Sequence, residues 1–208
     1  MKTSLTIPTP YPALVLASAS PRRSELLAQA GFLFEVESIA VDETPRMNEP
    51  PEDLVQRLAR EKATAVFQVR ARRSAPALPV LGADTVVVCN GAVLGKPSDD
   101  EEAYRMLRLL AGRTHRVLTG VCLMAAAGTQ TAVESTRVTM LAPSEEELRA
   151  YIATGEPRDK AGAYAIQGRA ARWIPRVEGC YFNVVGLPLA RVNAMIEAAE
   201  NKTRAPVL

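Results

Sequence analysis

Near its start the chain passes directly from an apolar run into a helix, and this feature constrains the fold most strongly. Residues Ala13–Ser18 predict a buried strand. Ser20 followed by Pro21 is typical of a helix start, because serine caps free N–H groups and proline lacks one. The helix is predicted to reach Ala30 and to stop at Gly31. A strand that turns straight into a helix is the building unit of α/β sheets.

The first turn of this helix carries two arginines, Arg22 and Arg23. The free N–H groups of a helix N-terminus favour an anion, and guanidinium groups bind phosphate well. Together with the hydroxyls of Ser18 and Ser20, the arginines predict a phosphate-binding corner. The alternative is an ordinary capped helix with two solvated arginines. These residues alone do not separate the two interpretations.

The composition describes a globular chain of mixed charge. Its 208 residues suit one domain, and 48% hydrophobic with 23% charged residues are typical of a folded protein. The net charge of +2 is too small to indicate nucleic-acid binding. Three widely spaced cysteines and the single histidine, His115, argue against a zinc site and a Ser-His-Asp hydrolase. With no long apolar core at the N-terminus, we expect a cytoplasmic protein.

The rest of the chain alternates predicted helices and strands. The strongest strand signal is Val80–Cys89, which turns back at Asn90-Gly91, and a hairpin is predicted between His115–Ala125 and Thr131–Leu141. Further strands are predicted at 32–39, 163–168, 171–177 and 181–185, and further helices at 51–69, after capping boxes at 98–101 and 143–147, and after Pro188. We expect an α/β or α+β fold with one mixed sheet, in a single domain over 1–208 with flexible ends at 1–12 and 201–208.

Four charged residues do not suit a hydrophobic core. Asp84 interrupts the strongest strand, where a carboxylate is either a structural acceptor or an acid held at a cleft. Glu43 lies in an acidic loop, which by itself predicts only solvation. Lys62 falls on the apolar stripe of its helix, where a lysine usually extends its charge to the rim. Lys96 stands in a turn between glycine and proline.

Taken together, these residues predict phosphate chemistry. The arginines and lysines can neutralise a polyphosphate, and the two carboxylates can hold a hard cation such as Mg²⁺. An ionised aspartate can also take a proton from an attacking water. This set suits metal-assisted hydrolysis of a nucleotide phosphoanhydride. The sequence contains no P-loop and no Gly-x-Gly-x-x-Gly motif, so those nucleotide-binding alternatives lose support.

Five motifs occur in order along the chain: Ser18-Ala-Ser-Pro-Arg-Arg23, Gly82-Ala-Asp-Thr85, Gly95-Lys-Pro97, Asp159-Lys-Ala-Gly-Ala-Tyr-Ala-Ile-Gln-Gly168 and Asn183-Val-Val-Gly-Leu-Pro188. Together they resemble the Maf family of nucleoside triphosphate pyrophosphatases, first named for inhibition of septum formation. The resemblance covers nearly the whole chain. It implies an elongated two-lobed α/β fold related to inosine triphosphate pyrophosphatases, with a mixed central sheet flanked by helices. It also implies an active site in the cleft between the lobes, and a homodimer.

By this resemblance the chain hydrolyses the bond between the α- and β-phosphates, which releases a nucleoside monophosphate and pyrophosphate. Asp84 matches the family's general base. Glu43, Lys62 and Lys96 match the charged residues around the polyphosphate and the metal. We therefore expect Glu43 and Asp84 to bind a divalent cation, Mg²⁺ or Mn²⁺.

The resemblance also identifies substrate-binding residues. Three of them lie in the phosphate-facing motif: Ser18, Ser20 and Arg23. Three others match the trio of the branch that prefers dTTP and UTP: Arg22, Thr85 and Gln167. The branch that acts on 7-methyl-GTP carries a bulky aromatic, a glutamine and a glutamate at these places. The chain therefore resembles the dTTP/UTP branch.

Two other classes of function compete with a pyrimidine nucleotide pyrophosphatase. A regulatory protein of cell division would bind a nucleotide or a partner without turnover, but an unpaired acid such as Asp84 at the cleft favours catalysis. Sequence-independent nucleic-acid binding is disfavoured by the near-neutral charge and the few aromatic residues. We expect a pyrimidine nucleoside triphosphate as substrate, modified ones included, and neither a nucleic acid nor a membrane as partner.

Overall fold

The computed structural model describes residues 13–73, 75–126 and 128–204. The helices of this part are α1 (Pro21–Gln29), α2 (Pro51–Arg72), α3 (Asp100–Leu110), α4 (Glu145–Ile152), α5 (Tyr181–Val185) and α6 (Leu189–Arg204). The strands are β1 (Leu14–Ala17), β2 (Phe34–Val36), β3 (Val80–Cys89), β4 (Ala92–Leu94), β5 (Thr114–Ala125), β6 (Gly128–Thr139) and β7 (Arg176–Glu178). Three 3₁₀ turns cover Glu156–Asp159, Ala161–Ala163 and Arg169–Trp173. Of the ends predicted to be flexible, 1–12 and 205–208 lie outside the described residues.

The strands form one mixed sheet in the order β2-β1-β3-β5-β6-β7, and β4 pairs with β3 beside this path. β1 runs parallel to β2 and β3, whereas the pairs β3–β5, β5–β6, β6–β7 and β3–β4 are antiparallel. Helices α1 and α6 pack on one face of the sheet, and α2 packs on the other. The expected mixed sheet flanked by helices is therefore confirmed, as are the long strand β3 and the β5–β6 hairpin. The elongated two-lobed shape stays a prediction.

Helix α2 lies unusually close to strand β3. Val86 and the other even-numbered residues of β3 face α2, because side chains alternate along a strand. Gly82 belongs to this face, and a β-carbon there would overlap the backbone carbonyl oxygen of Ala59 in α2. Glycine thus permits the close approach that brings Lys62 of α2 to Asp84 of β3.

Strand β3 has an unpaired stretch on the edge that faces β1. The β1 pairing ends with Ala17 opposite Gly82, and the β4 pairing begins with Leu94 opposite Val87. None of the described strands covers residues 83–86 on this edge. Side chains from both faces of β3 can therefore reach the space beyond the end of β1. Ligands of open α/β sheets commonly bind at such strand ends.

The short strands predicted in the last third of the chain are mostly wrong. Residues 163–168 are not a strand, Arg169–Trp173 is a 3₁₀ turn and 181–185 form α5; only β7 overlaps a predicted strand. Short apolar runs do not distinguish a strand from a buried helical segment by periodicity. The backbone of Gly162 and Ala163 is left-handed, with φ of 70° and 60°, which is incompatible with a strand beginning there.

At two helix starts the capping hydrogen bonds in the structure differ from those predicted. Ser20 occupies the N-cap of α1, but its side chain makes no capping hydrogen bond; its N–H instead donates to Ser18 Oγ over 3.2 Å. The capping box predicted at 98–101 is displaced, because Asp99 caps α3 by accepting from the N–H of Glu102. The capping box predicted at the start of α4 is confirmed.

Helix α6 extends to Arg204, so residues 201–204 are helical within the predicted flexible tail. Cys89 and Cys122 are buried free thiols, as predicted, and Cys180 is a half-buried free thiol. Burial raises the pKa of Cys122 to about 11, which keeps this thiol protonated and unreactive. No described helix is long and apolar enough to cross a membrane.

Candidate active site

A cleft of about 680 Å³ opens at the unpaired edge of β3. The cleft is bounded by the start of α1, helix α2 and the loop before it, strand β3, the turns around 159–167 and the end of α5. Every residue that the sequence predicts for catalysis, metal binding or substrate binding lines this cleft: Ser18, Ser20, Arg22, Arg23, Glu43, Lys62, Asp84, Thr85, Lys96 and Gln167. The fold thus brings together residues that are far apart along the chain.

Lys62 bridges the two predicted acids. Its Nζ lies 2.6 Å from Asp84 Oδ1 and 2.6 Å from Glu43 Oε1. Asp84 is only 7% exposed, and this pairing offsets the cost of burying its charge. The expectation of an unpaired acid at Asp84 is therefore wrong. The interpretation of Lys62 as a lysine that reaches out to solvent does not hold either, since the ammonium group points between two carboxylates.

Glu43 is held in its ionised form by its surroundings. Partial burial raises the pKa of its carboxyl group, but the hydrogen bond from Lys62 and the charges of Lys62, Lys96 and Arg23 outweigh burial and lower it. Glu43 therefore keeps its negative charge at neutral pH. Half of its side chain remains exposed to the cleft, where it can meet a cation.

The loop that carries Glu43 is anchored to α2 by Arg57. Arg57 donates to both carboxylate oxygens of Glu49, over 2.6 and 2.8 Å, and to the carbonyl oxygen of Thr44 over 3.1 Å. The hydrogen bond from Arg57 is the main reason why the pKa of Glu49 falls to about 2. Because Thr44 directly follows Glu43, this anchor fixes the position of the acid. Nothing in the sequence pattern indicated it.

Arg23 is buried and donates to four acceptors that lie on three segments of the site. Its Nε donates to Gly186 O over 2.9 Å, its Nη1 to Ala83 O over 2.8 Å and to Ser18 Oγ over 3.0 Å, and its Nη2 to Thr85 Oγ1 over 3.0 Å. Burial lowers the pKa of Arg23 below its ordinary value. Among the described residues it forms no ion pair, so its buried positive charge meets neutral acceptors only.

A chain of hydroxyl groups orients Thr85. Its Oγ1 lies 2.9 Å from Thr119 Oγ1 on the neighbouring strand, and Thr119 donates to Asn183 O over 3.3 Å. Because Thr119 has a single hydroxyl hydrogen, Thr85 must be the donor between the two. Thr85 also accepts from Arg23. A hydroxyl has one hydrogen and two lone pairs, so Thr85 can offer a ligand only an acceptor.

Arg22 is bound by Asp159, which comes from a distant turn. Arg22 Nη1 donates to Asp159 Oδ2 over 2.7 Å, and Nη2 donates to the main-chain oxygen of Asp159 over 2.9 Å. Lys160 Nζ donates to the other carboxylate oxygen of Asp159 over 2.6 Å. Burial raises the pKa of Asp159, but the hydrogen bonds from Lys160 and Arg22 outweigh it and lower the pKa. Neither arginine of α1 is thus simply solvated.

Lys96 and Gln167 present free polar groups to the cleft. Both residues are exposed, and neither side chain forms a hydrogen bond within the described part of the chain. The backbone after Gln167 is fixed, because Glu156 accepts from the N–H of Arg169 over 3.1 Å. A β-carbon at Gly168 would overlap the carboxylate of Glu156, so a larger residue there would displace this side chain from the N–H of Arg169. The side-chain amide of Gln167 is therefore free, while the backbone that follows it is held in place.

The lining of the cleft is cationic overall. Its charged side chains are five cations, Arg22, Arg23, Lys62, Lys96 and Lys160, and three anions, Glu43, Asp84 and Asp159. This balance suits a ligand with several negative charges. Across residues 13–73, 75–126 and 128–204, no three histidine, cysteine, aspartate or glutamate side chains converge as a metal site. Glu43 and Asp84 could therefore supply only part of a cation's coordination shell.

Sequence reasoning missed other residues that shape the site. Asp159 and Lys160 open the fourth motif, yet the sequence suggested no role for them. Asn183 is fully buried, and its Nδ2 donates to Val117 O and Thr136 Oγ1. An asparagine in an apolar run was the one signal that could have indicated this buried link.

Comparisons with known proteins find relatives over most of the chain. The sequence model of a family described as Maf-like protein matches residues 13–199. The dTTP/UTP pyrophosphatase of Koribacter versatilis (strain Ellin345) is 52% identical over 186 residues, which cover 89% of this chain and 94% of the relative. The dTTP/UTP pyrophosphatase of Pelotomaculum thermopropionicum is 55% identical over 186 residues, which cover 88% and 95%. The solved structure of the Staphylococcus aureus Ham1 protein aligns with a TM-score of 0.43 and 12% identity, over 62% of this chain and 72% of that one.

Proposed function

The chain belongs to the Maf-like protein family, and from that membership we propose that it hydrolyses dTTP and UTP to the nucleoside monophosphate and pyrophosphate. The observation that carries this proposal is the buried Asp84, bridged by Lys62 to Glu43 inside a cleft with an excess of cations. Relatives named dTTP/UTP pyrophosphatase, each more than half identical to this chain, support the choice of substrate.

Asp84 is the proposed general base. Lys62 holds Oδ1 of its carboxylate, which leaves Oδ2 to take a proton from water. The water oxygen then attacks the α-phosphorus, the bond to the bridging oxygen breaks, and pyrophosphate leaves. Lys62 keeps Asp84 in position through its hydrogen bond to Oδ1, over 2.6 Å.

Glu43 and Asp84 would together hold a divalent cation, Mg²⁺ or Mn²⁺. Lys62 uses one oxygen of each carboxylate, so Glu43 Oε2 is free for a metal, and Asp84 Oδ2 has a second lone pair for it beside the one that takes the proton. Mg²⁺ is commonly held by one or two carboxylates together with substrate phosphates and water, which suits the two acids available here. When bound, such a cation would neutralise phosphate charge and make water easier to deprotonate.

The cations of the cleft would bind the polyphosphate. Lys96 has a free ammonium group. The buried Arg23 forms no ion pair among the described residues, although the charges of Asp84 and Glu43 act on it. A bound triphosphate would add negative charge beside these two cations. Ser18 and Ser20 stand at the same corner, beside the first turn of α1. These features support the assignment of this corner to the phosphates.

Gln167 and Thr85 are the proposed readers of the base. Thymine and uracil offer an N3–H donor between two carbonyl acceptors. The free amide of Gln167 can both donate and accept, whereas Thr85 can only accept because its hydrogen is given to Thr119. An acceptor at Thr85 suits the N3–H of these bases and does not suit cytosine, whose N3 is itself an acceptor.

The reaction products test the proposed function. With dTTP and Mg²⁺ we expect dTMP and pyrophosphate, measured by chromatography. We expect EDTA to abolish turnover, because it removes the cation that would neutralise phosphate charge and make water easier to deprotonate. Release of dTDP and orthophosphate would contradict a pyrophosphatase. Tight binding of dTTP without turnover would instead favour the alternative of a nucleotide-binding regulator.

Replacing Gln167 with glutamate tests the reading of the base. A carboxylate can only accept hydrogen bonds, so one pyrimidine carbonyl would lose its donor and face a negative charge. We expect kcat/KM for dTTP and UTP to fall roughly ten- to hundredfold. Gln68→Glu, an exposed change on α2 outside the cleft, is the matched control. If dTTP, UTP, CTP and 7-methyl-GTP keep their ranking, Gln167 does not read the base.

A cytoplasmic site of action and a homodimer belong to the same proposal. The three free cysteines, two of them buried, suit a reducing compartment. The homodimer rests on the resemblance to the family, and sedimentation of the purified protein tests it.

A further inference from the structure

The cluster of Arg22, Asp159 and Lys160 lies in the cleft but takes no part in the steps above. Asp159 ends a 3₁₀ turn and lies 137 positions after Arg22 in the sequence. It accepts two hydrogen bonds from this arginine, one at the Asp159 carboxylate and one at the Asp159 main-chain oxygen. Contact through both the carboxylate and the backbone sets the direction of the guanidinium plane as well as its distance.

Lys160 completes this cluster electrostatically. Its Nζ donates to Asp159 Oδ1 over 2.6 Å and is itself held by the main-chain oxygen of Glu156 over 2.8 Å. Two cations therefore surround one carboxylate, and the cluster as a whole stays positive. An approaching polyphosphate meets no net repulsion from Asp159, even though this carboxylate is more than half exposed.

We propose that Asp159 is a positioning residue that holds Arg22 ready for the substrate, an inference that rests on the proposed function. A guanidinium group has five N–H donors, and Asp159 uses two, which leaves three for a phosphate or a base carbonyl. Without the carboxylate of Asp159 the arginine keeps only the contact with the main-chain oxygen, so it retains more rotamer freedom, which it loses when substrate binds. Asp159 thus lowers the cost of substrate binding without touching the reacting atoms.

A double-mutant cycle with Asp159→Asn and Arg22→Ala tests this role. We expect Asp159→Asn to raise the KM for dTTP about tenfold and to change kcat by less than about twofold. In the Arg22→Ala background the same change is expected to alter KM by less than about twofold, because its effect acts through Arg22. Asp100→Asn is the matched control. It removes the exposed ion pair between Asp100 of α3 and Arg158, which lies on the same 3₁₀ turn as Asp159. Neither residue of this pair lines the cleft.

Two outcomes would overturn the inference. A KM that falls in Asp159→Asn would mean that Asp159 competes with the substrate for Arg22. An equal rise of KM with and without Arg22 would mean that Asp159 only supports the turn.

A binding measurement uses a dTTP analogue that has a methylene group between its α- and β-phosphates. Its dissociation constant is measured on the four proteins of the cycle: the unmodified protein, the two single variants and the double variant. If the unmodified protein binds the analogue but does not hydrolyse dTTP, the proposed function fails while the cycle of binding constants still tests Asp159. If binding shows the same non-additivity, the positioning role stands on its own.

Discussion

Asp84→Asn is expected to lower the turnover of dTTP at least about a hundredfold while the protein stays folded. Asparagine has the shape of aspartate and can still accept from Lys62 through Oδ1, so the contact over 2.6 Å can persist. It cannot take a proton from water, and it offers no negative charge to a cation. The measurement is kcat with saturating dTTP and Mg²⁺, together with the thermal melting curve.

The control for this prediction is Asp100→Asn, which makes the same chemical change at an exposed ion pair outside the cleft. We expect its kcat to stay within about twofold of the unmodified protein, since exposed pairs contribute little. Full activity of Asp84→Asn would reassign the base, first to Glu43, whose lowered pKa keeps it ionised beside Lys62.

Arg23→Lys is expected to cost both stability and activity, although it keeps the positive charge. The four acceptors of Arg23 lie around three different nitrogen atoms, and one ammonium group cannot reach them all. About two buried acceptors would lose their donor, which costs about 2–6 kcal/mol of unfolding free energy. Misplacing Ala83 and Thr85, next to Asp84, is expected to lower kcat/KM about a hundredfold.

Urea unfolding and dTTP hydrolysis measure the two effects of Arg23→Lys. Arg105→Lys is the matched control, because Arg105 forms an exposed pair with Glu102 on α3. If Arg23→Lys kept its stability and most of its kcat/KM, the role of Arg23 would be its charge alone. The buried ties to Gly186 and Ala83 would then contribute little.

Elements with strong local signals could be predicted from the sequence. Val80–Cys89, the β5–β6 hairpin and the start of α4 follow from apolar patterning, turn residues and capping residues within short windows. The segments between 159 and 185 could not be predicted in the same way. Their apolar runs are short. Helix α5 forms where its buried Asn183 donates hydrogen bonds to strands that are distant in sequence.

The members of the cleft could be predicted as well. Asp84 is chemically unsuited to a buried strand, whereas Lys62 and Glu43 were indicated only by their combination with the other charged residues and by the resemblance to the family. Which of these charges meet was decided only by the tertiary structure. Lys62 reaches Asp84 because Gly82 lets α2 lie against β3, and Arg22 meets Asp159 from 137 positions away. A residue's own chemistry and its near neighbours reveal that it does not belong in a core. Its partner depends on distances in space, which only the long-range packing of the chain determines.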